Sequence, residues 1–243
     1  SRQVVKTIKL PQNSIAYGSV INNSGTRAYF FGFDYASSES IVWEFDVISG
    51  ALHRIAVIGD IPVPINSSPQ SYTLSVSDND EYAYIHNITD TGTAVYKINL
   101  ASLSTVGQPV VISRSPDDPY AWGGYIPMGI IGNSLYLPFS NQENGSADIS
   151  VLNLINQSIS SVTALNQPRL SYYPRILTVA GGDIYTLING RIIRLDPGTS
   201  SVVSSAIIDE LSANNRPISL AVDAATGKAY VGTQQQGIYI VDI

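Results

Sequence analysis

The feature that most constrains this chain is an internal repeat of about fifty residues. Five tyrosines, Tyr29, Tyr84, Tyr136, Tyr185 and Tyr230, stand 55, 52, 49 and 45 residues apart. Each sits in an alternating apolar stretch that follows a turn. A short loop comes next, then a second apolar stretch ending in Asp46, Asn99, Asn153, Asp196 or Asp242. A repeat of this length marks an architecture in which each unit buries its apolar face only against its neighbours.

Each unit reads as four strands, rich in Val, Ile and Tyr and broken by Gly, Asn, Asp and Pro. The first unit predicts strands over 15–22, 26–33, 41–47 and 52–58. The second predicts 72–77, 82–87, 94–100 and 109–113. In the third they fall at 125–131, 134–139, 149–154 and 159–165, and in the fourth at 176–179, 183–188, 191–195 and 202–208. The fifth has only three, at 218–222, 228–232 and 238–242. The one stretch with any helical character, 208–213, is about a turn long. Residues 4–10 read as a strand without a unit, while the last unit lacks its fourth strand. Pairing Gln3–Leu10 beside Ile238–Asp242 would close the last unit from both chain ends and remove a free edge. The expectation is an all-β, five-bladed β-propeller, its last blade closed by the N-terminal strand. It forms a single domain over 1–243, with repeats at about 11–59, 60–114, 115–165, 166–208 and 209–243 plus 1–10.

The five strand-ending Asp or Asn residues have a local reason. Each can accept a hydrogen bond from a backbone N–H two residues on, fixing the turn into the next strand. The five tyrosines read as packing between blades, since a half-buried aromatic ring suits a pleated sheet.

The repeat resembles the YVTN/NHL-like class of propeller repeats found in surface-layer and secreted proteins. Lys228-Ala229-Tyr230-Val231 with Ile238-Tyr239-Ile240-Val241-Asp242 carries the resemblance best. Arg27-Ala28-Tyr29-Phe30 with Val42-Trp43-Glu44-Phe45-Asp46 is a fair match, and the third unit, with Pro138 in its second strand, is weaker. Trp-Asp dipeptides and a Gly-Gly in every unit are missing, so the WD40 and kelch patterns fit less well. The resemblance implies a propeller and is nearly silent about activity.

Composition narrows the partners. The net charge is −6 and charged residues make up 13% of the chain, with no basic run. Binding to nucleic acid needs clustered Lys and Arg, so it is not expected. With no cysteine there is neither a disulfide framework nor a thiolate metal site. No apolar run reaches the roughly 18 residues of a membrane span, so membrane insertion is not expected. The chain starts at Ser1 without Met, which fits a removed leader as well as a trimmed terminus.

Catalytic chemistry finds little support. The only histidines, His53 and His86, fall in strands of different units, which speaks against zinc and against a Ser-His-Asp arrangement. Asp117-Asp118 and Asp209-Glu210 lie in connections between units, and Asp78 and Asp223 end innermost strands. A glycosidase would need two such carboxyls about 5–9.5 Å apart. Asp78-Asn79-Asp80-Glu81 could offer oxygens to Ca²⁺ but reads as a hairpin turn. No metal or cofactor is expected.

The most suggestive cluster is aromatic. Tyr120, Trp122 and Tyr125 lie in one connection between units, and Arg169, Tyr172 and Tyr173 in the next. Such rings stack on sugars or anchor protein partners; they could equally plug the channel mouth or cover blade edges. Asn22, Asn66, Asn87, Asn144 and Asn156 begin N-x-S/T triplets and are glycosylation candidates. The reading is a non-catalytic interaction module, structural or adhesive, working outside the cell. It would sit at a cell surface, filament or virion exterior, of the kind an acid- or heat-loving archaeon exposes. Its partner would be a surface protein or a glycan, within a larger assembly. The rivals are a carbohydrate-binding lectin and a five-bladed glycoside hydrolase.

Overall fold

A computed structural model of the chain describes residues 7, 9–58, 61, 73–89, 92–113, 128–141, 146–168, 176–188, 190–209, 211, 215–235 and 237–243. Its contacts gather into two compact units, Ser1–Ser113 and Arg114–Ile243.

The first unit holds two antiparallel sheets. Sheet one runs β1 (Ser14–Ile21), β2 (Arg27–Asp34), β3 (Glu39–Asp46) and β4 (Leu52–Val57) in that spatial order. Sheet two has β5 (Thr73–Val76), β6 (Tyr82–Thr89) and β7 (Gly92–Asn99). Two short pieces, β8 (Ser104–Thr105) and β9 (Val110–Ser113), share its fourth position, and both pair with β7. One strand, 109–113, is expected there. β9 falls inside that span, and β8 is an additional piece, set apart from it by Gly107 in the left-handed region and by Pro109, which has no N–H to donate.

The second unit holds three antiparallel sheets. Sheet three runs β10 (Gly129–Ile131), β11 (Ser134–Asn141), β12 (Ser146–Asn153) and β13 (Ser158–Pro168). Sheet four runs β14 (Ile176–Ala180), β15 (Asp183–Ile188), β16 (Arg191–Asp196) and β17 (Ser201–Ile207). Sheet five has three strands, β18 (Pro217–Asp223), β19 (Lys228–Thr233) and β20 (Ile238–Asp242). Pro138 is tolerated in β11 because β10 pairs only as far as Tyr136, so the missing N–H interrupts no ladder between them. There is no helix among the described residues; at Ile208 a turn closes with Leu211 N–H donating to the Ile208 carbonyl at 3.3 Å. The expected closing strand lies mostly outside the described residues. Leu10, its last residue, packs in the first unit against Ile41, Trp43 and Phe45.

Within each unit, adjacent sheets bury their facing side chains. Tyr29, Phe31 and Val42 of sheet one meet Val76, Ala83, Ile85, Tyr96 and Ile98 of sheet two. Tyr136, Ile149 and Val151 of sheet three meet Leu177, Ile184 and Ile193 of sheet four. Tyr185, Leu187 and Ile192 then meet Ala229 and Val231 of sheet five. Each buried Ile, Leu or Phe contributes roughly 1.5–3 kcal/mol. Four of the five repeat tyrosines are buried, and three of them, Tyr29, Tyr136 and Tyr185, pack between sheets as expected. The Tyr136 hydroxyl also donates to the Pro197 carbonyl at 3.1 Å, tying sheet three to a turn of sheet four. Burial, then the neighbouring Tyr82, pushes the Tyr84 phenol up to about 12.

The strand-ending residues act as turn locks. Asp46 Oδ1 accepts from Ser49 N–H at 2.8 Å, Asn99 Oδ1 from Ala101 N–H at 2.9 Å, Asn153 Oδ1 from Ile155 N–H at 2.9 Å and Asp196 Oδ1 from Gly198 N–H at 2.7 Å. Four positions after each of them the chain enters the left-handed region, at Gly50, Leu103, Gln157 and Ser200. The polar side chain and the left-handed residue together reverse the chain. Asp242 follows another course and pairs with Lys228 Nζ at 2.7 Å.

Candidate functional site

The six aromatic-cluster residues, Tyr120, Trp122, Tyr125, Arg169, Tyr172 and Tyr173, lie outside the described residues, as do Asn66 and Asn144. Of the other triplets, Asn22 is 8% exposed and Asn87 is 1% exposed. The Asn22 amide donates to Ser24 Oγ at 2.7 Å, and its carbonyl accepts from the Thr26 and Arg27 amides, so the side chain is built into the β1–β2 turn. Asn156 is exposed, and its Oδ1 accepts from Ser158 N–H at 3.1 Å.

The carboxylates near turns are structural. Asp80 sits in the β5–β6 turn at φ +58°. Its Oδ1 accepts from the Asn23 backbone N–H at 2.7 Å and the Asn23 side-chain amide at 2.9 Å, and its Oδ2 from Ser24 N–H at 3.1 Å. It thereby clamps sheet one to sheet two. Burial pushes its carboxyl up, but the four donations from Asn23 and Ser24 outweigh that and hold it below its ordinary value. Asp223 is also lowered, first by the Thr226 hydroxyl. Asp183 takes Arg194 Nε at 2.8 Å.

A buried ion cluster lies on the face of sheet one that meets sheet two. The Glu44 side chain is 3% exposed. Arg27 Nε stands 3.2 Å from Glu44 Oε1, and Arg54 Nε donates to Glu44 Oε2 at 2.5 Å. Arg27 also pairs with Asp46. Arg54 reaches on to sheet two, donating to the Ala101 carbonyl at 2.5 Å and the Leu100 carbonyl at 2.7 Å. The signal for this cluster was an acid inside the apolar run Val42-Trp43-Glu44-Phe45. The register then sets Arg54 directly opposite it on β4. Among the described residues, no group of three or more His, Asp or Glu is placed to hold a metal ion. His53 is exposed on β4, and His86 is fully buried on β6.

One group of side chains surrounds an aromatic ring that is presented to solvent, Tyr35. It lies at the end of sheet one where β1 begins and β2 turns into β3. Its origin is Gly32. A Cβ there would lie 1.9 Å from the Ile15 carbonyl oxygen and 2.6 Å from the Trp43 ring, so only glycine allows β1 this close. At that point β1 bulges: Ala16 pairs with Gly32 and Gly18 with Phe31, leaving Tyr17 as the extra residue. A bulge re-aims the side chain it carries. The Tyr17 ring packs against the core between sheets one and two, and its hydroxyl shares a 3.2 Å hydrogen bond with the Tyr35 hydroxyl. Burial, then the hydrogen bond to Tyr35, pushes the Tyr17 phenol up, so it stays protonated. Tyr35 meets Phe33 edge to face, with centroids 5.2 Å apart at 88°. Its N–H donates to the Asn13 carbonyl at 3.0 Å. Tyr35 is 54% exposed and is the exposed aromatic side chain among the described residues. Asp34 and Glu39 pair directly across the hairpin beside it. Asp34 Oδ1 accepts from Ala36 N–H at 2.7 Å.

No protein-family model matches the sequence, and no curated protein matches it. Solved structures do. A hydrazine synthase structure from Kuenenia stuttgartiensis aligns at TM-score 0.59 and 12% identity, covering all of this chain and 80% of that one. The Dos1 propeller aligns at 0.60 and 10%, covering 94% of this chain and 56% of that one. A nidogen–laminin complex gives 0.59 and 10%, covering 95% and 76%. Identities this low speak to the fold alone. With five antiparallel sheets among the described residues and propellers among these neighbours, the chain has a β-propeller fold.

Proposed function

We propose that this propeller is a non-catalytic interaction module working outside the cell, at a cell, filament or virion surface. The observation that carries the reading is the division of labour among its polar groups. Asp46, Asp80, Asp183, Asp196, Asp223 and Glu44 are engaged by turn amides, hydroxyls or arginines. Tyr35 is instead held by Tyr17 and presented to solvent. Carboxylates occupied in this way are poor general acids or bases, whereas a fixed, exposed ring is a good contact. Five repeats and a three-stranded last sheet further support a five-bladed ring closed by residues 3–10. The alternative reading as a lectin draws on the same aromatic pair. The fold does not choose, since enzymes share it.

The test incubates the purified chain with a panel of surface polysaccharides and surface-protein extracts, and follows binding and products together. Binding with every glycan recovered intact is expected; release of shorter sugars overturns the non-catalytic reading. Removal of residues 1–10 is expected to lower the melting temperature by several degrees, and an unchanged melt would count against closure by that segment.

A further inference from the structure

We propose that Tyr35, with Tyr17, Phe33, Asp34 and Glu39, forms a subsite for a neutral sugar ring. The proposal deepens the interaction reading by naming the ligand class at this site. Three observations carry it. The first is pre-organisation. Tyr35 is fixed by Phe33 at one edge, by Tyr17 at its hydroxyl and by Asn13 at its backbone, yet more than half of it faces solvent. A rigid exposed ring loses little conformational freedom on binding. The apolar face of a pyranose stacks on such a ring while its hydroxyls reach neighbouring polar groups.

The second observation is the set of polar groups. Two phenol hydroxyls, each both donor and acceptor, lie on the face of Phe33, and two carboxylates that accept only stand at the same hairpin end on the other face of the sheet. This arrangement suits a ligand carrying many O–H donors. The third is the directly opposed pair Asp34 and Glu39. Like charges facing each other across two strands weaken a hairpin. Their charge at this hairpin end repels anionic ligands. The subsite therefore favours neutral hexoses over sulfated or sialylated ones. A protein partner would gain little from so small and polar a patch.

The experiment presents the intact chain to an array of neutral gluco-, manno- and galacto-oligosaccharides with their sulfated and sialylated counterparts. The best neutral hit is then titrated against Tyr35→Ala, Tyr35→Phe and Tyr17→Phe. Circular dichroism melts confirm that each variant is folded. We expect neutral glycans to bind, Tyr35→Ala to weaken binding at least tenfold, and Tyr17→Phe and Tyr35→Phe to weaken it less, by loosening the ring. Absence of glycan binding, a preference for acidic glycans, or full affinity in folded Tyr35→Ala overturns the subsite. Those results leave the interaction module standing with a protein partner. Cleavage of a bound glycan, lost in Tyr35→Ala, would instead keep the subsite and sink the non-catalytic reading.

Discussion

Replacing Glu44 by Ala removes the anion around which Arg27 and Arg54 are organised. The Glu44 side chain is 3% exposed, whereas those of Arg27 and Arg54 are 30% and 34% exposed. Stripping one partner from a buried ion cluster costs about 3–5 kcal/mol, because the remaining charge is left without compensation. Here the two guanidiniums can turn partly to water, which places the cost near the lower end, about 3 kcal/mol. For a chain of this size each kcal/mol moves the melting temperature by roughly 2–4 °C, so Glu44→Ala should melt about 6–12 °C lower. The assay is a calorimetric melt at pH 7 beside Glu44→Gln, which keeps the side-chain shape and one accepting oxygen but sets an amide donor against one guanidinium, and should lose less than the truncation. Arg54→Met alone should also release the Leu100 and Ala101 carbonyls. The cycle of Glu44→Gln with Arg54→Met should give a coupling of about 1–3 kcal/mol. A Glu44→Ala melt within about 1 °C of the native protein would refute the view that this cluster joins sheets one and two.

Gly32→Ala should destabilise by about 3 kcal/mol, the upper part of the overpacking range, because its Cβ would press on the Ile15 carbonyl; chemical denaturation showing no loss would mean that the bulge adapts. Gln157→Gly should raise stability by roughly 0.5–1 kcal/mol, since Gln157 occupies a left-handed turn position at φ +55° that glycine adopts without strain; a lower denaturation midpoint would contradict this. Asp46 is held down to about 2, first by the Ser49 backbone N–H and then by the Ser49 hydroxyl. Asp80 and Asp223 are also lowered. A lowered carboxyl stabilises fully above its ordinary value near 3.8 and loses that contribution as pH falls through its folded value. The fold should therefore weaken progressively from about pH 4 to about pH 2 yet keep a cooperative melt at pH 3, read by circular dichroism; loss of the transition already at pH 3 would count against it.

Much of the frame was legible because its signals are local. Alternation places β15 at 183–188, and the expected span 134–139 falls inside β11. The Asx turns follow from residue chemistry at single positions, as at Asp196-Pro197-Gly198. What escaped depends on register between strands distant in sequence. Nothing near Glu44 announces that Arg27 and Arg54 flank it until β2, β3 and β4 are paired. Nothing near Asp80 points to Asn23, 57 residues away. Tyr17 and Tyr35 were missed because their meeting depends on a bulge, which adds one residue and turns a side chain without changing the apolar pattern. A glycine in the middle of an aromatic strand, Phe31-Gly32-Phe33, was the available clue to a close backbone approach.

The central claim is that the protein makes contact through the Tyr35 hairpin while the Asx turns serve as frame. Hydrogen–deuterium exchange, with and without the neutral oligosaccharide bound best on the array, tests it most directly. The account predicts slowed exchange over 33–39 and around Tyr17, with the turns at 46–50, 99–103, 153–157 and 196–200 unchanged. Protection confined to those turns, with the hairpin unaffected, would contradict it.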